Sequence, residues 1–167
     1  MTTPDANRST NATASAASST PPQPHRPPSH ITGDPVERQI DVLIADDTAP
    51  AREILASLLR QSAPSITIEQ AQDGGEALKA WRKFRPRVTF LDIDMPVEDG
   101  LAVLKAIRSA SPTAFVAIVS ANSLPQNVKT ALEAGANGFV VKPFKPQRIM
   151  DVLERYTKVT GHDLAKK

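Results

Sequence analysis

Asp46, Asp47, Asp92, Ser120 and Lys142 have side chains suited to metal or phosphate chemistry, and each follows a short apolar run. Asp46 and Asp47 close VLIA, Asp92 closes VTFL, Ser120 closes FVAIV and Lys142 follows GFVV. Carboxylates brought close together repel and raise one another's pKa unless a cation compensates them. The chain has no cysteine, and no histidine lies near these residues. Oxygen donors alone favour Mg²⁺, Mn²⁺ or Ca²⁺ over zinc, and two or three carboxylates with open water positions fit Mg²⁺ awaiting a phosphate. Such a metal is the charge sink that phosphoryl transfer requires. An aspartate can itself be the nucleophile, forming an acyl phosphate, and Lys142 would then pair with the phosphoryl oxygens as a point charge.

Each residue also has a plainer reading. Asp47 with Thr48 could simply favour a helix N-terminus. Asp92 could belong to the polar turn from Asp92 to Gly100, Ser120 could be an ordinary strand-end serine, and Lys142 could be a solvated lysine before proline. Only the elements that carry these residues decide whether they meet.

Val42 to Ala45 form an apolar run of strand type, followed by Ala51, Ile54, Leu55, Leu58 and Leu59 at helical spacing. Thr48 is placed to cap this helix, Pro50 suits its first turn and Pro64 lies beyond its end. The alternation then repeats. Ile66 to Glu69 read as a strand and Ala77, Leu78, Trp81 and Phe84 as a helix face; Val88 to Leu91 are a strand and Leu101, Leu104 and Ile107 a helix. Phe115 to Val119 precede a helix face of Leu124, Val128, Ala131 and Leu132, ended by Gly135 as a C′ glycine. Gly138 to Val141 and the face Ile149, Val152, Leu153 and Tyr156 complete the series. Five βα units predict a parallel sheet covered on both faces. Its strands all point one way, so their terminal residues converge on the edge where open α/β sheets bind ligands. The five candidates share that rim.

The remaining residues bound the possibilities. Residues 1–37 are rich in Ser, Thr, Ala and Pro, cannot bury enough apolar surface to offset their ordering entropy, and are expected to be a disordered tail. The folded domain is expected over 38–160, with 161–167 a short frayed tail. The triplet Asn11-Ala12-Thr13 matches a glycosylation acceptor, which has meaning only in a secreted chain. Twenty basic against 18 acidic residues give a formal charge of +2, a mixed surface that lends no support to nucleic-acid binding. No apolar run approaches the roughly 18 residues of a membrane span, and the N-terminus lacks the apolar core of a secretory signal. A soluble, cytoplasmic protein is expected. His25, His30 and His162 have no setting that assigns them a role, and Trp81 on an apolar helix face reads as core or interface.

The segments VLIADDTAPAREIL, VTFLDIDMPVEDG, AIVSA and AGANGFVVKPF, in this order and spacing, resemble the receiver domain of two-component response regulators over about Asp41 to Tyr156. The resemblance implies a flavodoxin-like (βα)5 three-layer sandwich with strand order 2-1-3-4-5, which sets the first strand beside the third. It also implies roles. Asp92 would be the phosphoacceptor, Asp47 would bind Mg²⁺ directly, Asp46 would act largely through a bound water, and Asp94 would offer its backbone carbonyl to the metal. Ser120 would hydrogen-bond the phosphoryl group, Lys142 would form a salt bridge to it, and Lys142-Pro143 would be a cis peptide. Phe139 matches the aromatic switch position, where phenylalanine replaces a frequent tyrosine, so packing alone must carry the signal.

The partners implied are a histidine kinase or histidine phosphotransfer protein as donor and an unnamed protein target. The face of the fourth helix, fifth strand and fifth helix would change on phosphorylation and alter affinity for that target, in a monomer or a phosphorylation-dependent dimer. The resemblance also implies that Asp94 and Asn122, each two residues beyond a site residue, lie near where a hydrolytic water would approach. The Asp94 side chain is therefore expected to set dephosphorylation rate; an unaltered phosphoryl half-life in Asp94→Asn would count against this.

Two other functions compete. Asp92-Ile93-Asp94 fits the DxD start of haloacid-dehalogenase phosphatases, but there the motif usually follows the first strand and continues into Thr or Val. A receiver-like interaction module that is never phosphorylated is the second, although the site shows no sign of degeneration.

Overall fold

The computed structural model of the chain describes residues 39–166. The expected tail over 1–37, with His25, His30 and Asn11, lies outside them. Ten elements alternate: β1 (Val42–Ala45), α1 (Ala49–Ser62), β2 (Ile68–Ala71), α2 (Gly74–Phe84), β3 (Val88–Asp92), α3 (Gly100–Ala110), β4 (Phe115–Ser120), α4 (Pro125–Glu133), β5 (Gly138–Val141) and α5 (Pro146–Thr160). The strands form one parallel sheet in the order β2-β1-β3-β4-β5, the flavodoxin-like arrangement expected. No helix among the described residues is long and apolar enough to cross a membrane.

Side chains alternate across a strand, so the sheet feeds two separate apolar layers. Val42, Ile44, Phe90, Ala117 and Val119 meet Leu55 and Leu59 of α1 and Ile149, Val152, Leu153 and Tyr156 of α5. Leu43, Leu91, Val116 and Ile118 meet Trp81 of α2, Val103, Leu104 and Ile107 of α3 and Ala131 of α4. β1, β3 and β4 are buried throughout, which is why they read as continuous apolar runs.

Several expectations are corrected. β2 begins at Ile68, two residues later than expected, because Thr67 is occupied by Asp41 at the start of the sheet. The Thr67 N–H and hydroxyl both donate to Asp41 Oδ2, at 2.8 and 2.7 Å. Ile54 is 53% exposed, because the buried side of α1 is set by Leu55, Ala56 and Leu59. The face expected for α4 is mostly outside, with Leu124 and Leu132 54% and 48% exposed and Ala131 alone buried within the helix. Thr48 stands at the N-cap of α1, yet its side chain does not cap the helix. Beyond α5 the chain turns at Gly161 (φ 75°), and Leu164 is buried against the α1/α5 layer rather than frayed.

Gly100 matters for placing Asp92. A Cβ there would overlap the Asp92 carbonyl oxygen and come within 2.7 Å of Ile93 Cα, both backbone atoms that cannot rotate away. Overpacking of this kind costs about 1–3 kcal/mol. Gly100→Ala is therefore expected to lower the urea denaturation midpoint; an unchanged midpoint would show that the β3–α3 connection yields freely.

Candidate functional site

The carboxyl ends of β1 and β3 are neighbours, with Ala45 paired to Leu91, so the residues that follow them meet. Carboxylate oxygens of Asp46, Asp47 and Asp92 all lie within 4.8 Å of one another. Asp46 and Asp92 are only 2% and 1% exposed, while Asp47 faces solvent. β5 leads directly into Lys142, whose peptide bond to Pro143 is cis, and the Lys142 Nζ stands 2.6 Å from Asp46 Oδ2 and 2.8 Å from Asp92 Oδ2.

Each buried carboxylate is held on both oxygens. Asp92 Oδ1 accepts the Asp94 N–H at 2.8 Å, and Oδ2 accepts from the Lys142 ammonium. Asp46 Oδ1 accepts the Thr48 N–H at 2.9 Å and the Thr48 hydroxyl at 2.8 Å. Thr48 thus serves Asp46 in place of the helix cap. Asp46 Oδ2 is held by the Lys142 ammonium at 2.6 Å. Arg52 braces the same turn, its Nη1 donating to the Asp46 carbonyl at 2.7 Å and its Nε to Gln70 Oε1 at 3.1 Å.

Burial pushes Asp92 above its ordinary carboxyl value, and the Asp46 charge adds to this against Lys142 and the Asp94 amide. Burial acts the same way on Asp46, but the bonds from Lys142 and Thr48 outweigh it and hold that carboxyl low. For Lys142, burial favours the neutral amine, yet the two carboxylates prevail and raise its pKa. The more basic of the two buried carboxylates is therefore the one at the end of β3.

Three carboxylates against one ammonium leave two negative charges when all are ionised. That balance and the all-oxygen donor set fit a hard divalent cation. Of the remaining expected residues, Ser120 ends β4 and is fully buried, but its hydroxyl donates to Asp94 Oδ2 at 2.8 Å. The Asp94 side chain is thus directed at Ser120 and is not among the clustered carboxylates. Phe139 of β5 is half-buried, packs against the α2/α3/α4 layer, and lines a shallow hollow with Val128, Lys145 and Arg148. The roles of Thr48 and Arg52 are not legible in the sequence; the position of Arg52 in the first turn of α1 beside the acidic pair is the one signal it offers.

The family of response regulator receiver domains matches residues 42–154. The chemotaxis protein CheY of Thermotoga maritima is 33% identical over 117 residues, covering 70% of this chain and 97% of that protein. A chemotaxis protein CheY of Listeria monocytogenes is 34% identical over 119 residues, covering 71% and 99%. Among solved structures, a chemotaxis response regulator of Vibrio cholerae superposes with a TM-score of 0.63 at 30% identity, covering 71% of this chain and 98% of that one. The receiver domain of NtrX from Brucella abortus gives 0.64 at 32% identity, with 71% and 98% covered.

Proposed function

Because this chain belongs to the response regulator receiver domain family, we propose that Asp92 takes a phosphoryl group from a phosphohistidine and thereby switches a protein-binding surface. The observation that carries the assignment is the position of Asp92. It is buried at the end of β3 with its two oxygens fixed by the Asp94 amide and Lys142, beside Asp46 and Asp47. A carboxylate oxygen of Asp92 attacks phosphorus, the P–N bond to the donor imidazole breaks, and its electron pair stays on the ring nitrogen. Fixing the carboxylate beforehand removes part of the entropy cost of reaching an in-line geometry.

Asp46, Asp47 and Asp92 are the residues that would hold Mg²⁺, with the Asp94 carbonyl as a further ligand. When bound, that ion supplies charge stabilisation for the phosphoryl oxygens. Lys142 already stands at Asp92 Oδ2, where it would meet the incoming group as a second positive charge. The donor would be a histidine kinase or histidine phosphotransfer protein, and the chain would act as a switch that assists its own modification in the cytoplasm.

The exposed side of α4, with β5 and α5, is the surface we assign to a protein target, with Phe139 relaying the change by packing. The phosphatase reading would have its motif follow the first strand, whereas Asp92-Ile93-Asp94 begins at the end of β3. Incubation with acetyl phosphate and Mg²⁺, followed by peptide mass spectrometry, tests the assignment. One added phosphoryl group on the peptide carrying Asp92 is expected; its appearance elsewhere, or nowhere, would overturn it.

A further inference from the structure

The hydroxyl of Ser120 is already engaged. It donates to Asp94 Oδ2 at 2.8 Å, and the same oxygen accepts the Ala121 N–H at 3.2 Å. The Asn122 N–H in turn donates to Ser120 Oγ at 2.9 Å, fixing the hydroxyl so that its proton points at Asp94. Two donors at the end of β4 therefore converge on one anionic oxygen. The backbone N–H of that same residue donates to Asp92 Oδ1 at 2.8 Å, so Asp94 touches the phosphoacceptor with its amide and the serine with its carboxylate. Among the described residues no ion pair holds Asp94, and the residue is exposed, so its side chain can leave the donors without opening the core.

We infer that Asp94 is a latch on the resting state, its carboxylate occupying the Ser120 and Ala121 donors that a phosphoryl group on Asp92 must take over. The inference rests on the phosphoacceptor assignment above and adds a competitor for the same donors. Bonds to an ionised acceptor are stronger than neutral ones, so the seated carboxylate opposes displacement more than a neutral side chain would. A ligand whose competent state is only fractionally populated binds more weakly by that fraction, which is how an occupied donor pair lowers the affinity for the phosphoryl group. Once displaced, Asp94 remains next to the phosphoryl group as a like charge and favours its own return.

The test uses the full chain and beryllium fluoride with Mg²⁺ as a stand-in for the phosphoryl group, with binding followed by fluorine NMR. Asp94→Ala is expected to bind the probe roughly tenfold more tightly than wild type, and Asp94→Asn to fall between them, since a carboxamide oxygen still accepts but carries no charge. In a Ser120→Ala background the gain from Asp94→Ala should shrink to about twofold or less, because the effect runs through the hydroxyl. Without any probe, the Ala121 amide proton should shift upfield in Asp94→Ala as its hydrogen bond is lost. An equal gain with and without Ser120 would overturn the latch in favour of general charge repulsion, and an unchanged affinity or an unmoved Ala121 amide would overturn it outright. If wild type takes up no probe and matches Asp92→Asn, the phosphoacceptor assignment fails and the latch with it. Uptake by wild type without a gain in the variants overturns the latch alone.

Discussion

Asp92→Asn is expected to abolish phosphoryl incorporation from acetyl phosphate while leaving the fold at least as stable as wild type. The carboxamide has one oxygen, which can serve either the Asp94 amide or Lys142, and no anionic oxygen to attack phosphorus. Burial and the neighbouring Asp46 charge both disfavour the Asp92 carboxylate, which is why its pKa is raised. A carboxyl with a raised folded-state pKa costs stability above that value and relieves the cost as pH falls, so a permanently neutral side chain should not weaken the fold at neutral pH. Intact-mass measurement and urea denaturation on one sample separate chemistry from folding. Residual incorporation in the variant would refute the nucleophile, and a collapsed midpoint would show that Asp92 is structural first.

Lys142→Met is expected to produce the larger loss of stability. It leaves two carboxylates, nearly without solvent exposure, facing each other with no ammonium between them. Removing one partner of a buried pair costs about 3–5 kcal/mol. The raised pKa of Lys142 fixes where its contribution acts. The stability is present below the ordinary lysine value of 10.5 and would be lost only as pH rises through the still higher folded-state value, so the wild type keeps it across the neutral range. In the variant both carboxyls move up, and the denaturation midpoint should recover as pH falls from 7 toward 5, more steeply than in wild type. Mg²⁺ should stabilise the variant more than the wild type, since the cation meets more uncompensated charge. A midpoint within error of wild type at pH 7 would refute the counter-ion role.

Much of this was legible in the amino-acid sequence because a parallel sheet makes strand direction readable. Asp41 and Asp46 are both buried aspartates flanking VLIA, and composition alone does not tell them apart. Direction does: Asp46 follows the strand and reaches the ligand edge, whereas Asp41 precedes it and ties Thr67 and Arg87 at the opposite edge. β1, β3 and β5 begin where their apolar runs predict. Helix faces were less readable, because apolar side chains at helical spacing on α4 mark a face without saying whether anything covers it. Least legible were the small polar commitments. Whether Thr48 caps a helix or serves Asp46, and whether the Asp94 side chain stays in solvent or reaches Ser120, depends on side-chain torsions within one turn, and no periodicity encodes those.

The sparse anchoring of α4 bears on how much work the switch must do. Where α5 buries four side chains, α4 buries only Ala131. At about 25 cal/mol per Å² of apolar surface, lifting a single alanine away from its neighbours costs little beside what a doubly charged group can recover in new hydrogen bonds. A helix so lightly loaded would be moved by one covalent event and would return when that event is reversed. The other described elements, packed on both faces of the sheet, would be the frame against which it moves.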